Sequence, residues 1–288
     1  MYRLLRLLIV LTLLSLLGSC GTVRLGYGNA DTLVYWWLDG YVDFRSSQKA
    51  KIKLDLAQTL SWHRNTQLPQ YIQALMQQQT KLVANPEPVE IAASMKQIEQ
   101  FSQKVFLKVV PELTDLALSI DESQKIYLAR KFEKNNEKYR ESYILPTSEK
   151  LTKVRFKKIM KQADEWLGRV SREQEVAIAS YVEKHPQNYQ QWLEDSMARQ
   201  RSVLSLLTKI QREKPSRELA QAMVQQMILA SSEPAEQADR REQSDISRAA
   251  MQQLISTIIR LSSPEQKKYA HKKIQVWIDD CTYLLAEK

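Results

Sequence analysis

Glycine is scarce in this sequence, with six residues in 288. Five of the six lie at or before Gly40, which leaves Gly168 alone in the rest of the chain. Hairpins and tight turns depend on residues that adopt positive φ, above all glycine, so the composition argues against a sheet protein. The nine prolines divide the chain into segments of helical length. The sequence therefore predicts an all-α fold, a multi-helix bundle of long amphipathic antiparallel helices.

Cysteine is scarcer still, with only Cys20 and Cys281. Two cysteines cannot build the disulfide framework of a small secreted scaffold, so the fold must depend on packing. Cys281 shares one helix face with apolar residues such as Ile274, Ile278 and Leu284, which predicts a buried core thiol.

Motifs of standard enzymes are missing as well. The three histidines, His63, His185 and His271, are far apart, and none lies in a His-Glu-x-x-His pattern. The sequence has no glycine-rich phosphate loop, dinucleotide fingerprint or Gly-x-Ser-x-Gly elbow. We therefore assign no catalytic residue, metal site or cofactor from motifs.

The charge balance is mildly basic. The formal net charge is +9, and charged residues make up 26% of the chain. Because no dense Lys/Arg block is interleaved with aromatics, nucleic acid is not an expected partner. The charge is typical of a solvated surface, and it would also suit an acidic envelope partner.

The N-terminus has the pattern of a secretory signal. Arg3 and Arg6 precede an apolar run of eleven residues from Leu7 to Leu17. A membrane-spanning helix needs about 20 such residues, so this run is too short to be one. We expect a signal peptide over residues 1–19 that is removed from the mature protein.

The next residues, Leu17-Gly18-Ser19-Cys20-Gly21, resemble a bacterial lipobox. The resemblance implies cleavage before Cys20 and attachment of acyl chains such as palmitate to its thiol and new amine. Several acyl chains anchor a protein stably, whereas one alone binds weakly. Gly21 stands where an aspartate would retain such a protein at the inner membrane. We therefore expect the periplasmic face of the bacterial outer membrane rather than the inner membrane.

The expected organisation follows from these signals. A signal peptide (1–19) is followed by a lipidated N-terminus and tether (20–30) and an all-helical domain (31–288), with a candidate sub-boundary near residue 145. Periodicity supports long helices in this domain. From Tyr189 to Ile210 the apolar or small positions alternate in steps of four and three, and only Gln200 breaks the stripe.

Capping boxes predict three helix starts. In each, an aliphatic residue precedes Asp or Ser, and Gln follows three residues after the cap. The caps are Asp121, Ser171 and Ser263, and a fourth, degraded box has Arg45 at the cap position. These boxes are similar to those of small helical periplasmic chaperones of the Spy type. The corresponding glutamines are Gln124, Gln174, Gln266 and Gln48.

Three motifs after Cys20 resemble those of an uncharacterised family of proteobacterial lipoproteins. Members carry Tyr-Asn-Asn-Ala-Asp, Trp-Trp-Leu-Asp and Trp-His-Arg motifs behind the lipid-bearing cysteine. The resemblance implies a helical remainder, and it brings no established activity. The matching segments here are Tyr27-Gly28-Asn29-Ala30-Asp31, Trp36-Trp37-Leu38-Asp39 and Trp62-His63-Arg64.

The same motifs supply the candidate binding residues, which are Trp36, Trp37, Asp39, Asp43, Trp62, His63 and Arg64. Asp39 and Asp43 are four residues apart and so share a helix face. One interpretation is a pocket in which these carboxylates and His63 act as acid and base. The favoured interpretation is structural: the three tryptophans lock two helices together, and Arg64 pairs with an aspartate.

The sequence thus predicts a membrane-anchored, periplasm-facing lipoprotein with a non-enzymatic binding, chaperone-like or structural role. Its partners would be the membrane, reached through the lipid on Cys20, and an envelope protein or acidic lipid. The alternative is an envelope-acting enzyme, similar to a cell-wall or lipid hydrolase, that uses Asp39, Asp43 and His63.

Overall fold

The structure is a computed structural model that describes residues 22–232 and 238–287. Over these residues the chain forms 13 α-helices and one π-helical turn, and no strand. The predicted all-α bundle is confirmed. The predicted signal peptide and Cys20 lie outside the described residues. Within the described part of the chain, no helix is both long and apolar enough to cross a membrane.

The helices are numbered in chain order, and the π-helical turn Arg140–Ile144 follows α7. They are α1 Thr22–Gly28, α2 Ala30–Val42, α3 Ser46–Thr66, α4 Leu68–Ala84, α5 Pro88–Lys108, α6 Val110–Ser119, α7 Glu122–Tyr139, α8 Ser148–Leu167, α9 Arg172–Lys184, α10 Tyr189–Glu213, α11 Arg217–Ser232, α12 Ala238–Arg260 and α13 Pro264–Ala286.

The apolar core lies in two regions. One is built from α2, α3, α6, α7, α10 and α11, with Phe44, Val110 and Val224 among its buried side chains. The other is built from α4, α8, α9, α12 and α13, and it consists of three smaller clusters that are linked through the partly buried Ile72 and Ile258. The packing of α13 along α4 is the most extensive helix pair among the described residues.

Each core region draws helices from both sides of residue 145, where a sub-boundary was suggested. The chain there passes through the π-helical turn and a short loop before α8. Tyr139 stacks on Trp192 with ring centroids 4.4 Å apart, and Tyr143 stacks on Tyr189 at 5.2 Å. These stacks tie the end of α7 to the start of α10, so the break separates two helices and not two cores.

The three intact capping boxes are present as predicted. Asp121, Ser171 and Ser263 each accept a hydrogen bond from the backbone amide three residues on. At the degraded box, Gln48 accepts from the Arg45 amide at 2.8 Å. Arg45 has no acceptor to offer, and its guanidinium instead bonds the Asp121 carboxylate at 2.9 Å. This contact lowers the pKa of Asp121.

The capping glutamines also pair with each other across the bundle. Gln48 and Gln124 exchange amide hydrogen bonds of 3.2 and 2.8 Å. Gln48 also donates to the carbonyl of Ser119, which precedes α7, and Gln124 donates to the carbonyl of Asp43, which precedes α3. Both side chains are buried. The starts of α3 and α7 are therefore fixed to each other, and the amide groups buried there are satisfied.

A second pair joins the starts of α9 and α13. Gln174 and Gln266 exchange amide hydrogen bonds of 3.2 and 2.9 Å. Gln174 also donates to the carbonyl of Ile258, while Gln266 donates to the carbonyl of Arg169. The same device thus appears once in each core region.

Residues 20–30 were expected to form a tether, but Thr22–Gly28 form α1, which packs on α13. The Arg24 guanidinium bonds the carboxylate of Asp280, whose side chain is almost fully buried. This ion pair attaches the N-terminal helix to the last helix. The predicted core thiol is confirmed, because Cys281 is buried beside Leu68 and Leu284 and burial raises the pKa of its thiol.

Candidate functional site

His63 lies near the end of α3, with its imidazole between two phenols. Its Nδ1 is 2.9 Å from the hydroxyl of Tyr27, and its Nε2 is 3.2 Å from the hydroxyl of Tyr71. Burial lowers the pKa of His63 and raises the pKa of both tyrosines. The three rings are therefore neutral at neutral pH. Since a neutral imidazole has one donor and one acceptor nitrogen, one phenol donates to the ring and the other accepts from it.

Local sequence brings Tyr71 to His63. α3 ends at Thr66, and Gln67 joins it to α4. Pro69 lies in the first turn of α4, where the backbone N–H that proline lacks would have no partner within the helix. The amide of Gln67 donates to the carbonyl of His63 at 2.9 Å and the amide of Tyr71 donates to the carbonyl of Gln67 at 3.0 Å, so helical hydrogen bonds continue through the junction of α3 and α4. Gln67 is itself buried, and its Oε1 has no hydrogen-bond partner among the described residues. The joint holds the polar and aromatic groups close together.

Arg64, the next residue of α3, also lies beside Tyr27. Its guanidinium donates to the backbone carbonyl of Glu287 at 3.1 Å and lies 5.7 Å from the centroid of the Tyr27 ring. Its Nε is buried without a partner among the described residues. Beside it lies an open cleft of about 370 Å³ whose polar lining residues include Asp31, Ser61, Arg64, Asn65 and Glu287.

Asp39 and Asp43 finish α2 and do not reach this cluster. Asp39 accepts from the amide of Phe44 through its carboxylate at 2.8 Å, and from the amide of Asp43 through its backbone carbonyl at 2.8 Å. Asp43 adopts a left-handed conformation, with φ of 54°, and its carboxylate is 3.6 Å from Arg45. These contacts close the turn into α3.

The length of α3 separates the aspartates from the imidazole. Asp43 precedes the start of α3 and His63 lies near its other end, a distance of about 25 Å at a rise of about 1.5 Å per residue. Both nitrogens of His63 are also engaged by phenols. The acid–base pocket considered for Asp39, Asp43 and His63 is therefore not assembled. The described residues hold no group of three or more His, Cys, Asp or Glu placed to bind a metal.

The sequence matches a protein family described as a family of unknown function (DUF6279), over residues 40–234. This range is about two thirds of the 288-residue chain. The chain belongs to the DUF6279 family. No curated protein and no solved structure matches it. The expectation of a family without an assigned activity is thus confirmed.

Some candidate residues of this DUF6279 protein lie inside the range that matches the family, and others precede it. The part of the cluster on α3 and α4 lies inside the matched range, while α1 and most of α2 precede it. Inside the range are Asp43, Trp62, His63, Arg64 and Tyr71, and before it are Tyr27, Trp36, Trp37 and Asp39.

The tryptophans do not lock two helices together as predicted. Trp36 and Trp37 are 65% and 62% exposed on α2. Trp62 is half-buried, with its ring edge-on to His63 at a centroid distance of 6.5 Å and Lys108 5.9 Å above it. The predicted pairing of Arg64 with an aspartate is replaced by its bond to the Glu287 carbonyl. The favoured structural interpretation was therefore wrong in its contacts.

Sequence reasoning also missed the residues that complete the cluster. Tyr27 and Tyr71 are the direct partners of His63. Tyr27 begins one of the three family-like segments, whereas Tyr71 lies outside them. The Arg24–Asp280 pair joins residues 256 positions apart and left no local signal. When only the sequence is known, an arginine and an aspartate on two separate helices are expected to face solvent.

Proposed function

We propose that this DUF6279 protein is a lipoprotein, anchored through acyl chains on Cys20 to the periplasmic face of the bacterial outer membrane, whose helical body binds an envelope partner without enzymatic chemistry. The observation that carries the proposal is the lipobox-like segment Leu17–Gly21, directly followed by α1. Because Arg24 of α1 bonds the buried Asp280, the attachment point would lie two residues before a helix that is fixed to the folded body.

A binding role is favoured over catalysis because the candidate acid and base groups already make hydrogen bonds within the protein. His63 has both nitrogens engaged, and Asp39 and Asp43 are used to end α2. The open cleft beside Arg64 has polar side chains such as Asp31, Ser61 and Asn65 in its lining, which suits a polar group on a partner. The buried capping glutamines are fully used within the protein, so their resemblance to chaperone boxes adds no support for a chaperone.

The anchor is tested by metabolic labelling with a clickable palmitate analogue and by membrane fractionation. Cys20→Ala should give an uncleaved or mislocalised precursor without label. Cys281→Ser is the matched control, because it removes the other cysteine and should be labelled and fractionated like the parent protein. Label in Cys20→Ala, or an unlabelled parent protein that does not sediment with membranes, would overturn the proposal.

The choice between binding and catalysis is tested in a deletion strain by complementation. Asp39→Asn keeps an oxygen that accepts from the Phe44 amide, and His63→Gln keeps a donor and an acceptor between the two tyrosines. Both variants should fold and complement the deletion. Loss of complementation in folded, correctly localised variants would favour the enzyme that uses these groups as acid and base.

A further inference from the structure

α2 carries apolar side chains on both of its sides. Tyr35 and Val42 face the core and are buried. Leu33, Trp36 and Trp37 are 51%, 65% and 62% exposed. At about 100° per residue, positions 33, 36 and 37 share one face, opposite to Tyr35 and Val42. We call these three residues the outer face of α2.

The outer face lacks the charges expected of a solvent-facing helix surface. The exposed residues from Thr32 to Trp37 are all uncharged. A contiguous exposed apolar patch of this kind often marks a contact with protein or with membrane. Two adjacent exposed tryptophans favour a boundary between apolar and wet surroundings, since the indole has a large apolar ring and one N–H donor.

A cation from a neighbouring helix borders this face. Lys131 of α7 places its Nζ 5.4 Å from the centroid of the Tyr41 ring, and the Tyr41 ring lies 5.1 Å from that of Trp37. An apolar strip bordered by a lysine complements a bilayer with anionic headgroups, where acyl chains meet the strip and a phosphate meets the ammonium group.

The outer face is also close in the chain to the predicted lipid. α1 begins two positions after Cys20, and the amide of Leu33 donates to the carbonyl of Asn29 at 3.0 Å across the junction of α1 and α2. Leu25 on α1 is exposed as well. At about 1.5 Å per residue, Trp36 lies within about 21 Å of Thr22, the first residue of α1. A membrane that holds the lipid is therefore within reach of this face.

We infer that the outer face of α2 lies in the headgroup region of the membrane that holds Cys20, with Leu33, Trp36 and Trp37 inserted between lipids and with Lys131 at the level of the phosphates. This inference rests on the lipid anchor proposed above and goes beyond it, because it fixes which side of the body faces the bilayer.

The test is tryptophan quenching in the full lipidated protein. The protein is reconstituted in vesicles of phosphatidylethanolamine and phosphatidylglycerol, with or without bromine on the acyl chains near the headgroup. Trp36→Phe/Trp37→Phe should lose most of the bromine quenching. The matched control Trp166→Phe/Trp277→Phe also removes two of the six tryptophans, from a partly exposed pair on α8 and α13, and should retain it.

Acyl labelling and vesicle flotation are measured on the same samples. A protein that is not labelled and does not float contradicts the anchor itself. A labelled protein that floats but shows equal quenching in both double variants overturns the membrane face alone. A dimer in detergent by sedimentation, weakened by Trp36→Ser/Trp37→Ser, together with absent quenching, would assign the face to a second copy of the chain and overturn the inference.

Discussion

Replacing Gln174 with leucine should be among the most destabilising polar substitutions in this protein. Its side chain is fully buried, and its Oε1 accepts from the Ser171 amide at 2.8 Å and from the Gln266 amide at 2.9 Å. Its two N–H groups serve three acceptors, on Gln266, Ile258 and Ser262. Each hydrogen bond contributes a net ~1 kcal/mol, and two accepted and two donated bonds are lost without replacement. We therefore expect the free energy of unfolding to fall by about 4 kcal/mol, a large part of the roughly 5–15 kcal/mol of a typical domain.

Urea unfolding followed by circular dichroism measures this loss, and a double-mutant cycle assigns it. Gln174→Leu and Gln266→Leu both remove the same pair of amide bonds, so the double variant should lose about 2 kcal/mol less than the sum of the single losses. Gln190→Leu, on an exposed helix surface, is the control and should change stability by less than about 0.5 kcal/mol. A loss below about 1 kcal/mol for Gln174→Leu, or additive single losses, would refute the reasoning.

Three further predictions concern the N-terminal cluster and its surroundings. Arg24→Ala leaves the buried Asp280 without its cation and should lower the free energy of unfolding in urea by about 3 kcal/mol. The control Lys153→Ala breaks an exposed ion pair and should lower it by less than about 1 kcal/mol. Equal losses in the two variants would contradict this prediction. Because burial lowers the pKa of His63, the unfolded chain takes up a proton that the folded chain does not as the pH falls below about 6.5. Stability should therefore decrease from about pH 7.5 to about pH 5.5, and His63→Gln should reduce that decrease; an unchanged pH dependence in the variant would contradict the burial of a neutral ring. Cys281 should react with a thiol reagent only as fast as the protein opens, with urea speeding the reaction, and rapid modification of the native protein would show that the thiol is accessible.

Sequence predicted the helix starts well because capping is local chemistry. Asp121, Ser171 and Ser263 each begin a helix within three residues of the glutamine that completes the box. The pairing of the capping glutamines between different helix starts could not be predicted in the same way. The paired glutamines are 76 and 92 residues apart, and nothing in a capping box specifies which other helix start it faces.

The broken stripe on α10 shows the same limit. Gln200 interrupts an otherwise apolar face, and it exchanges amide bonds of 2.8 and 3.0 Å with the buried Asn136 of α7. Periodicity located the polar position but not its partner. A buried amide of this kind is tolerated only when a second amide is placed opposite to it, which is a property of the assembled bundle.

The candidate site was predicted in its composition and not in its geometry. Asp39 and Asp43 do share a region of α2, but they end that helix instead of facing His63. Trp36 and Trp37 were expected to pack between helices, and they lie on the exposed side. Because α2 is apolar on both sides, its pattern alone cannot show which side meets the core.

The packing of α13 along α4 also determines when the protein can become stable during its synthesis. The N-terminal segments are synthesised first, so α4 must wait for α13, about 200 residues later, before its apolar side is covered. A product that stops before Pro264 would expose that side permanently, and it should be cleared by proteases instead of accumulating as a smaller folded form. Contacts between such distant parts of the chain also predict slow folding for an all-helical protein.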